Sequence, residues 1–403
     1  MGDVVKLAAG YRFSGVYCGL KADGALDLAL MVSDLPATAA AVFTRNRFPA
    51  APVLYGRRLI ASGVPVSAVL VNAGNANACT GPQGEVDLQT TVEVLASVLE
   101  LPREQIFVSS TGVIGEPLPV TTILQGLESL EAELQQAAAA DLSGLEAVSR
   151  AIMTTDRVPK MAAAEIEIGD HKVVITGLAK GAGMIEPNMA TMLAYLLTDV
   201  EIERKTWQEI IGRVVDVSFN RITVDGDTST NDTVLGLANG ASGVRLETAA
   251  ELERFEAALS DVARRLSYMI VKDGEGATKV VTIRVVGAPD TAAAERIARA
   301  VANSALVKTA FFGRDANWGR IIAAVGYAGV AIDPETVNLD FDAVRVVTGG
   351  RRDPAYREEQ GAAVLQKPEF VVKIDLGLGE AEAEILTADL THDYVSINAD
   401  YRS

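Results

Sequence analysis

From Ala162 the chain alternates as AAAEIEI, meets the turn residues Gly169 and Asp170, and alternates again as HKVVITG. No other stretch limits the fold as strongly. Successive side chains of a strand point to opposite faces, so two such runs around a short turn predict a β-hairpin. The hairpin delivers the chain to KGAGMIEPNMATML (180 to 193), where Met184, Met189 and Met192, three of the eight methionines, gather among glycines.

The remaining pattern mixes strands and helices. SAVLVN (67 to 72) reads as a buried strand, and the Gly/Asn-rich loop NAGNANACTGPQG follows it. Leu88, Val92, Leu95 and Leu99 then recur at helical spacing. QIFVSSTGVIG reads as a strand running into a loop at Thr111 and Gly112, and helical patterns fill about 120 to 153. TMLAYLLTD fits a strand or a helix; strand is favoured because a new helical pattern opens at Glu201. ITVDGDTSTNDTVLGLANG reads as two strands around a Ser/Thr/Asp loop, and Leu252, Phe255, Leu259, Val262, Leu266 and Met269 mark a long helix that stops at DGEGATK. Strand VVTIRVV, a helix near 291 to 304, LVKTAFFG, a helix after Asn317 and several strands near 337 to 391 complete the chain. The expected class is α+β (mixed α/β), with layered sheets flanked by helices. A length of 403 residues suggests two lobes.

Composition removes several functions. With 36 basic and 53 acidic residues the net charge is -17, and no basic run is interleaved with aromatics, which argues against nucleic acid and anionic membrane as partners. Cys18 and Cys79 are too few for a disulfide framework or a cysteine metal site, and Asp3 and Lys6 stand where a secretory signal needs an apolar core. A reduced, cytoplasmic setting is expected. Residues 59 to 84 carry no charge, but glycines, prolines and asparagines interrupt them, so they read as strand, loop and turn. IIAAVGYAGVAI (321 to 332), 12 residues long, is short of the roughly 18 to 20 that span a membrane and reads as a buried helix.

Histidine is scarcer still. His171 and His392 are the two in the chain, each with a surface or packing role as its plain reading, so a Ser-His-Asp triad or histidine metal centre has little to work with. GAGMIE places Glu186 where a dinucleotide fingerprint needs Gly or Ala, and Pro187 follows. A hydroxyl nucleophile whose base is not histidine remains. A threonine that becomes N-terminal by chain cleavage has its own α-amine as base. Thr191, preceded by the small Ala190, is the candidate: its hydroxyl would attack the Ala190 carbonyl, and water would release the resulting ester.

KGAGMIEPNMATML resembles the cleavage-site signature of the ornithine acetyltransferase (glutamate N-acetyltransferase) family of arginine biosynthesis. The resemblance covers essentially the whole chain. NAGNANACTG, SSTGVIGEPLP, TTD, SFNRITVDGDTSTNDT, KDGEGATK, LVKTAFFGRDANWGRI and the terminal NADYRS carry it further. It implies an N-terminal-threonine, self-cleaving architecture in which the Ala190 to Thr191 bond is cut, giving an α chain of 1 to 190 and a β chain of 191 to 403. Thr191 then matches the nucleophile, and Thr111 and Gly112 match the hydroxyl and N–H that hold the oxyanion. Thr154, Lys180, Thr191, Glu275, Asn398 and Ser403 match substrate-contacting positions. Lys180 suits a substrate carboxylate and Glu275 an ammonium; without the resemblance, Glu275 reads as a solvent-exposed acid. Ser403 stands where the family commonly has threonine, and Ala316 where it has proline.

The resemblance implies ping-pong transfer of an acetyl group from N-acetylornithine to glutamate in an α2β2 assembly. It implies no metal or prosthetic group, with acetyl-CoA as a possible second acetyl source. Two rivals differ in class: a self-cleaving aminopeptidase or amidohydrolase of the L-aminopeptidase/D-esterase type, and an uncleaved amino-acid-binding protein.

Overall fold

A computed structural model describes residues 5–136, 142–186 and 192–400. The chain divides into two compact units, one of Met1–Asn220 and Asp227–Ile270, the other of Arg221–Gly226 and Val271–Arg402. The division is a different one from that between 1–190 and 191–403.

In chain order the first strands are β1 (Tyr11–Val16), β2 (Leu28–Phe43), β3 (Val66–Asn75), β4 (Ile106–Val113), β5 (Lys160–Ile168), β6 (His171–Lys180), β7 (Leu193–Thr198), β8 (Ile222–Thr223) and β9 (Thr233–Ala238). Among the described residues the first unit's sheet runs β4-β3-β2-β9-β7-β6-β5, with β1 also on β2. β5 and β6 form the expected hairpin, from Lys160 opposite Ala179 to Ile168 opposite His171. Within TMLAYLLTD, Leu193–Thr198 is a strand, as favoured, and this β7 pairs antiparallel with β6 and parallel with β9.

The long strand β2 serves two sets of neighbours. Residues 28–33 pair with β1 and β3, whereas 38–43 pair with β9, and the register breaks between Val32 and Ala37. Pro36 lies in that break, where its missing N–H costs no ladder bond.

Helices cover both faces of this sheet. Leu235 and Leu237 of β9 join a core with Leu30, Val69, Phe107, Leu127, Leu130 and Val148. Between them Gly236 faces the other way, where an added Cβ would lie 2.6 Å from Trp207 and Ile211 of the helix Arg204–Asp216. Trp207 is fully buried, donates from Nε1 to Gly236 O at 3.1 Å, and packs on Phe255 of the long helix Ala249–Lys272.

The second unit adds β10 (Val280–Ala288), β11 (Asn338–Phe341), β12 (Val344–Thr348), β13 (Arg351–Arg352), β14 (Glu369–Asp375) and β15 (Ala381–Ala388). Its sheet runs β13-β12-β11-β14-β10-β15-β8. Val281, Ile283, Ile297, Val301, Phe311 and Phe370 lie in its core, the two phenylalanines edge to face at 5.4 Å. Asp290 caps the helix Thr291–Ala302 by accepting the Ala293 N–H at 2.7 Å.

Several expectations need correction. The helix expected from Leu88 starts at Gly81, because Pro82 is tolerated in a first turn whose N–H groups are unpaired anyway. β4 does not end at Thr111 and Gly112 but continues to Val113. IIAAVGYAGVAI is not a buried helix throughout: the helix Trp318–Tyr327 ends inside it, and Tyr327 is largely exposed. The helix Glu358–Leu365 interrupts the expected run of strands. The chain's last described helix, His392–Asp400, has no buried residue and hence no apolar period to read. His171 and His392 are both exposed, as expected. Among the described residues no helix is long and apolar enough to cross a membrane.

Candidate active site

The polar cluster of the first unit is built where β4 and β6 end. Lys180, the last residue of β6 and 4% exposed, donates from Nζ to Thr154 Oγ1 at 2.8 Å and to Thr111 Oγ1 at 3.3 Å. Three residues expected in the site thus meet at one ammonium group. Gly112 follows Thr111 with φ of +128°, opposite Gly74 of β3, and an added Cβ would sit 2.3 Å from the Gly74 carbonyl carbon. Only glycine fits that combination of backbone angle and approach.

Beneath the lysine lies Asp156, which sequence reasoning passed over although it ends the TTD motif. Its Oδ1 accepts from Lys160 Nζ and from the Gly181 N–H, each at 2.6 Å. Its Oδ2 accepts the Thr154 N–H at 3.0 Å and stands 4.0 Å from Lys180 Nζ. Burial alone would push this carboxyl up, but the charges of Lys180 and Lys160, with the hydrogen bonds from Lys160 and the Gly181 N–H, hold it down at about 2. Asp156 therefore fixes Thr154, Gly181 and the charge of Lys180 at once.

A network of asparagines supports the Thr111 side. Ser110 Oγ donates to Asn72 Oδ1 at 2.6 Å, and Asn72 Nδ2 donates to Asn75 O at 2.8 Å. Asn75 Nδ2 reaches the carbonyls of Glu116 and Pro117, both at 3.1 Å. NAGNANACTG, expected as a loop, begins inside β3, which runs to Asn75, and its asparagines hold the backbone on either side of Gly112.

Lys180 is the register partner of Leu193, so the chain leaves β6 and returns in β7 at one rung of the ladder. Ala190 and Thr191 lie outside the described residues, as do Met189 and Ser403. Met184 is half buried with φ of +55°, and Met192 is buried beside Val215, Phe219 and Asp232.

Glu275 and Asn398 belong to the second unit and meet there: Asn398 Nδ2 donates to Glu275 Oε2 at 2.7 Å. Glu275 is 8% exposed, which corrects its reading as a solvent-exposed acid. The cause is the last helix, pinned over the loop by the Thr391 hydroxyl donating to Gly276 O at 2.8 Å. Gly276 itself has φ of +67°, and an added Cβ would lie 2.5 Å from Tyr394 N. Among the described residues no group of three or more His, Cys, Asp or Glu side chains is arranged to hold a metal ion.

The ArgJ family model matches residues 12–403. The chain is 50% identical over 396 residues to the arginine biosynthesis bifunctional protein ArgJ of Geobacter sulfurreducens, covering 98% of this chain and 99% of the relative. It is 47% identical over 394 residues to the protein of the same name from Nitratidesulfovibrio vulgaris, covering 98% of each. The crystal structure of the arginine biosynthesis bifunctional protein from Bacillus halodurans superposes with a TM-score of 0.50 at 37% identity, over 52% of this chain and 100% of that one. These matches define an enzyme class, the acyltransferases of arginine biosynthesis. Within it, the chain belongs to the ArgJ family.

Proposed function

We propose that this chain moves an acetyl group from N-acetylornithine to glutamate through an acetyl-Thr191 intermediate, after cutting itself between Ala190 and Thr191. The observation that carries the reading is the Lys180 ammonium held between the Thr154 and Thr111 hydroxyls. It is a buried cation among hydroxyls, on the strand that leads straight into the KGAGMIEPNMATML segment.

In this reading the Thr191 hydroxyl attacks the acetyl carbonyl and the freed α-amine takes its proton. The Thr111 hydroxyl and Gly112 N–H receive the charge that develops on the acetyl oxygen. Ornithine leaves, glutamate enters, and its amine takes the acetyl group. Lys180 and Thr154 take the substrate carboxylate; Glu275, Asn398 and Ser403 complete the contacts, with Glu275 toward an ammonium. The pieces 1–190 and 191–403 stay together as α and β chains of an α2β2 cytoplasmic enzyme that needs no cofactor. Acetylation of glutamate from acetyl-CoA would be the second activity of a bifunctional protein.

Intact mass spectrometry of the purified protein beside Thr191→Ala tests cleavage, and acetyl transfer from N-acetylornithine to glutamate tests the reaction. The expected result is two fragments meeting at residue 190 in the parent, one uncut chain in the variant, and transfer by the parent alone. An uncut parent would overturn the reading. Release of free acetate at the same rate with and without glutamate would replace transfer by hydrolysis.

A further inference from the structure

One hydroxyl of the second unit serves two elements at once. Glu275 and Gly276 form the corner of a tight turn closed by the Ala277 N–H on Gly274 O at 2.9 Å, and Gly276, with φ of +67°, takes the position that favours glycine. Thr391 Oγ1 donates to Gly276 O at 2.8 Å and accepts the Tyr394 N–H at 3.3 Å. The second bond caps the helix His392–Asp400 at its third residue. Asn398 lies one turn further along, its Nδ2 bonded to Tyr394 O at 3.0 Å and to Glu275 Oε2 at 2.7 Å. The acid and the amide that meet through their side chains are therefore also joined through their backbones, by way of Thr391.

The helix depends on such contacts. It is nine residues long and buries none of them, so it has neither the length nor the apolar face that holds a helix together in water. The turn is fixed on its far side as well. Asp389, 4% exposed, accepts the Thr278 and Lys279 N–H groups at 2.8 and 3.0 Å and the Thr278 hydroxyl. Thr391, itself buried, is the point at which the helix is set against that anchored turn.

We infer, on the reading of Glu275 as the contact for a substrate ammonium, that Thr391 is a positioning residue: its hydroxyl sets Glu275 against Asn398 and so fixes where the carboxylate meets that ammonium. A carboxylate on a flexible side chain loses conformational freedom when it takes up a cation, and a turn and helix already locked together in the free protein reduce that cost. N-acetylornithine keeps its side-chain ammonium throughout the transfer, so the effect falls on its binding and not on the acetyl chemistry.

The test measures KM and kcat for N-acetylornithine in the full-length parent, Thr391→Val, Thr391→Ser, Glu275→Gln and the double variant Thr391→Val with Glu275→Gln, with thermal melting to establish folding. Valine keeps the shape of threonine without the hydroxyl, and serine keeps the hydroxyl. The expected result is a KM raised about 5-fold by valine with kcat kept within about 2-fold, a parental KM with serine, and a double variant no worse than Glu275→Gln alone. A cap that served stability only would lower the melting temperature and leave KM at the parental value.

With KM raised by Glu275→Gln, a folded valine variant of parental KM overturns the inference and leaves the Glu275 contact standing. A loss that falls on kcat alone, a serine variant no better than valine, or a double variant in which the two losses multiply also overturns it. If the valine variant does not fold, Thr391→Gly, which an N-cap position tolerates at little cost, replaces it in the same comparisons. A parental KM in Glu275→Gln overturns the Glu275 contact, and this inference with it.

Discussion

Asp156 and Lys160 form an ion pair of 2.6 Å in which neither side chain keeps any exposure to solvent. Removing one partner strands the other charge in the interior. Asp156→Ala should therefore cost about 3 to 5 kcal/mol of stability, measured by urea unfolding.

The same carboxyl sets a pH dependence. Its folded value, about 2, lies below the ordinary 3.8, so the stability it contributes is complete above about pH 4 and is lost as pH falls through 2. Unfolding midpoints of the parent should drop across that window, on the order of 2 kcal/mol from this group. The Asp156→Asn variant should follow a flatter profile there.

Lys180 donates to two hydroxyls and faces Asp156. Lys180→Met keeps an unbranched side chain one atom shorter and removes its charge. The expected loss is about 2 to 5 kcal/mol in kcat/KM, with the circular dichroism spectrum unchanged. Thr154→Val should lose less, about 1 kcal/mol, because one neutral acceptor goes.

At the proposed oxyanion site the hydroxyl and the N–H are separable. Thr111→Val should lower kcat about 100- to 1,000-fold with little change in KM. Gly112→Ala should do more harm, since its Cβ would collide with the Gly74 backbone at 2.3 Å. A soluble Gly112→Ala protein with parental melting temperature and parental kcat would show that this backbone approach does not matter.

In the second unit, Glu275→Gln keeps an oxygen for Asn398 and loses the charge. KM for N-acetylornithine and glutamate should rise with kcat nearly kept. Asn398→Ala, which leaves the charge but removes its anchor, should cost only about 1 kcal/mol of binding. Steady-state kinetics with each substrate varied in turn separates the two.

What was legible in the sequence depended on period and on local signals. The hairpin of β5 and β6 followed from strict alternation, and the long helix from Leu252 to Met269 from its regular apolar spacing. The short strand β8 was read as a strand, but nothing local told that it joins the sheet of the second unit. The site was legible as named residues and not as an assembly. Lys180 meets Thr111 across 69 residues of chain, Asp156 meets Gly181 across 25 and Asp232 meets Met192 across 40. Asp156 ends TTD and Asp232 lies in SFNRITVDGDTSTNDT, yet their partners are groups that only the folded sheet brings near.

The strand order of the first sheet bears on what a cut between Lys180 and Leu193 would do to the particle. β7 and β9, downstream of the cut, lie between β2 and β6, both upstream, with hydrogen-bond ladders on each side. The two pieces would be interlaced like fingers, and separating them means unzipping both ladders together. A nicked molecule should sediment as one body at any dilution and show two bands only in denaturant. Regaining the fold from denaturant would then require two chains to find each other, so its yield would depend on concentration. The nick would exchange a reversible fold for one whose persistence is set by its rate of unfolding.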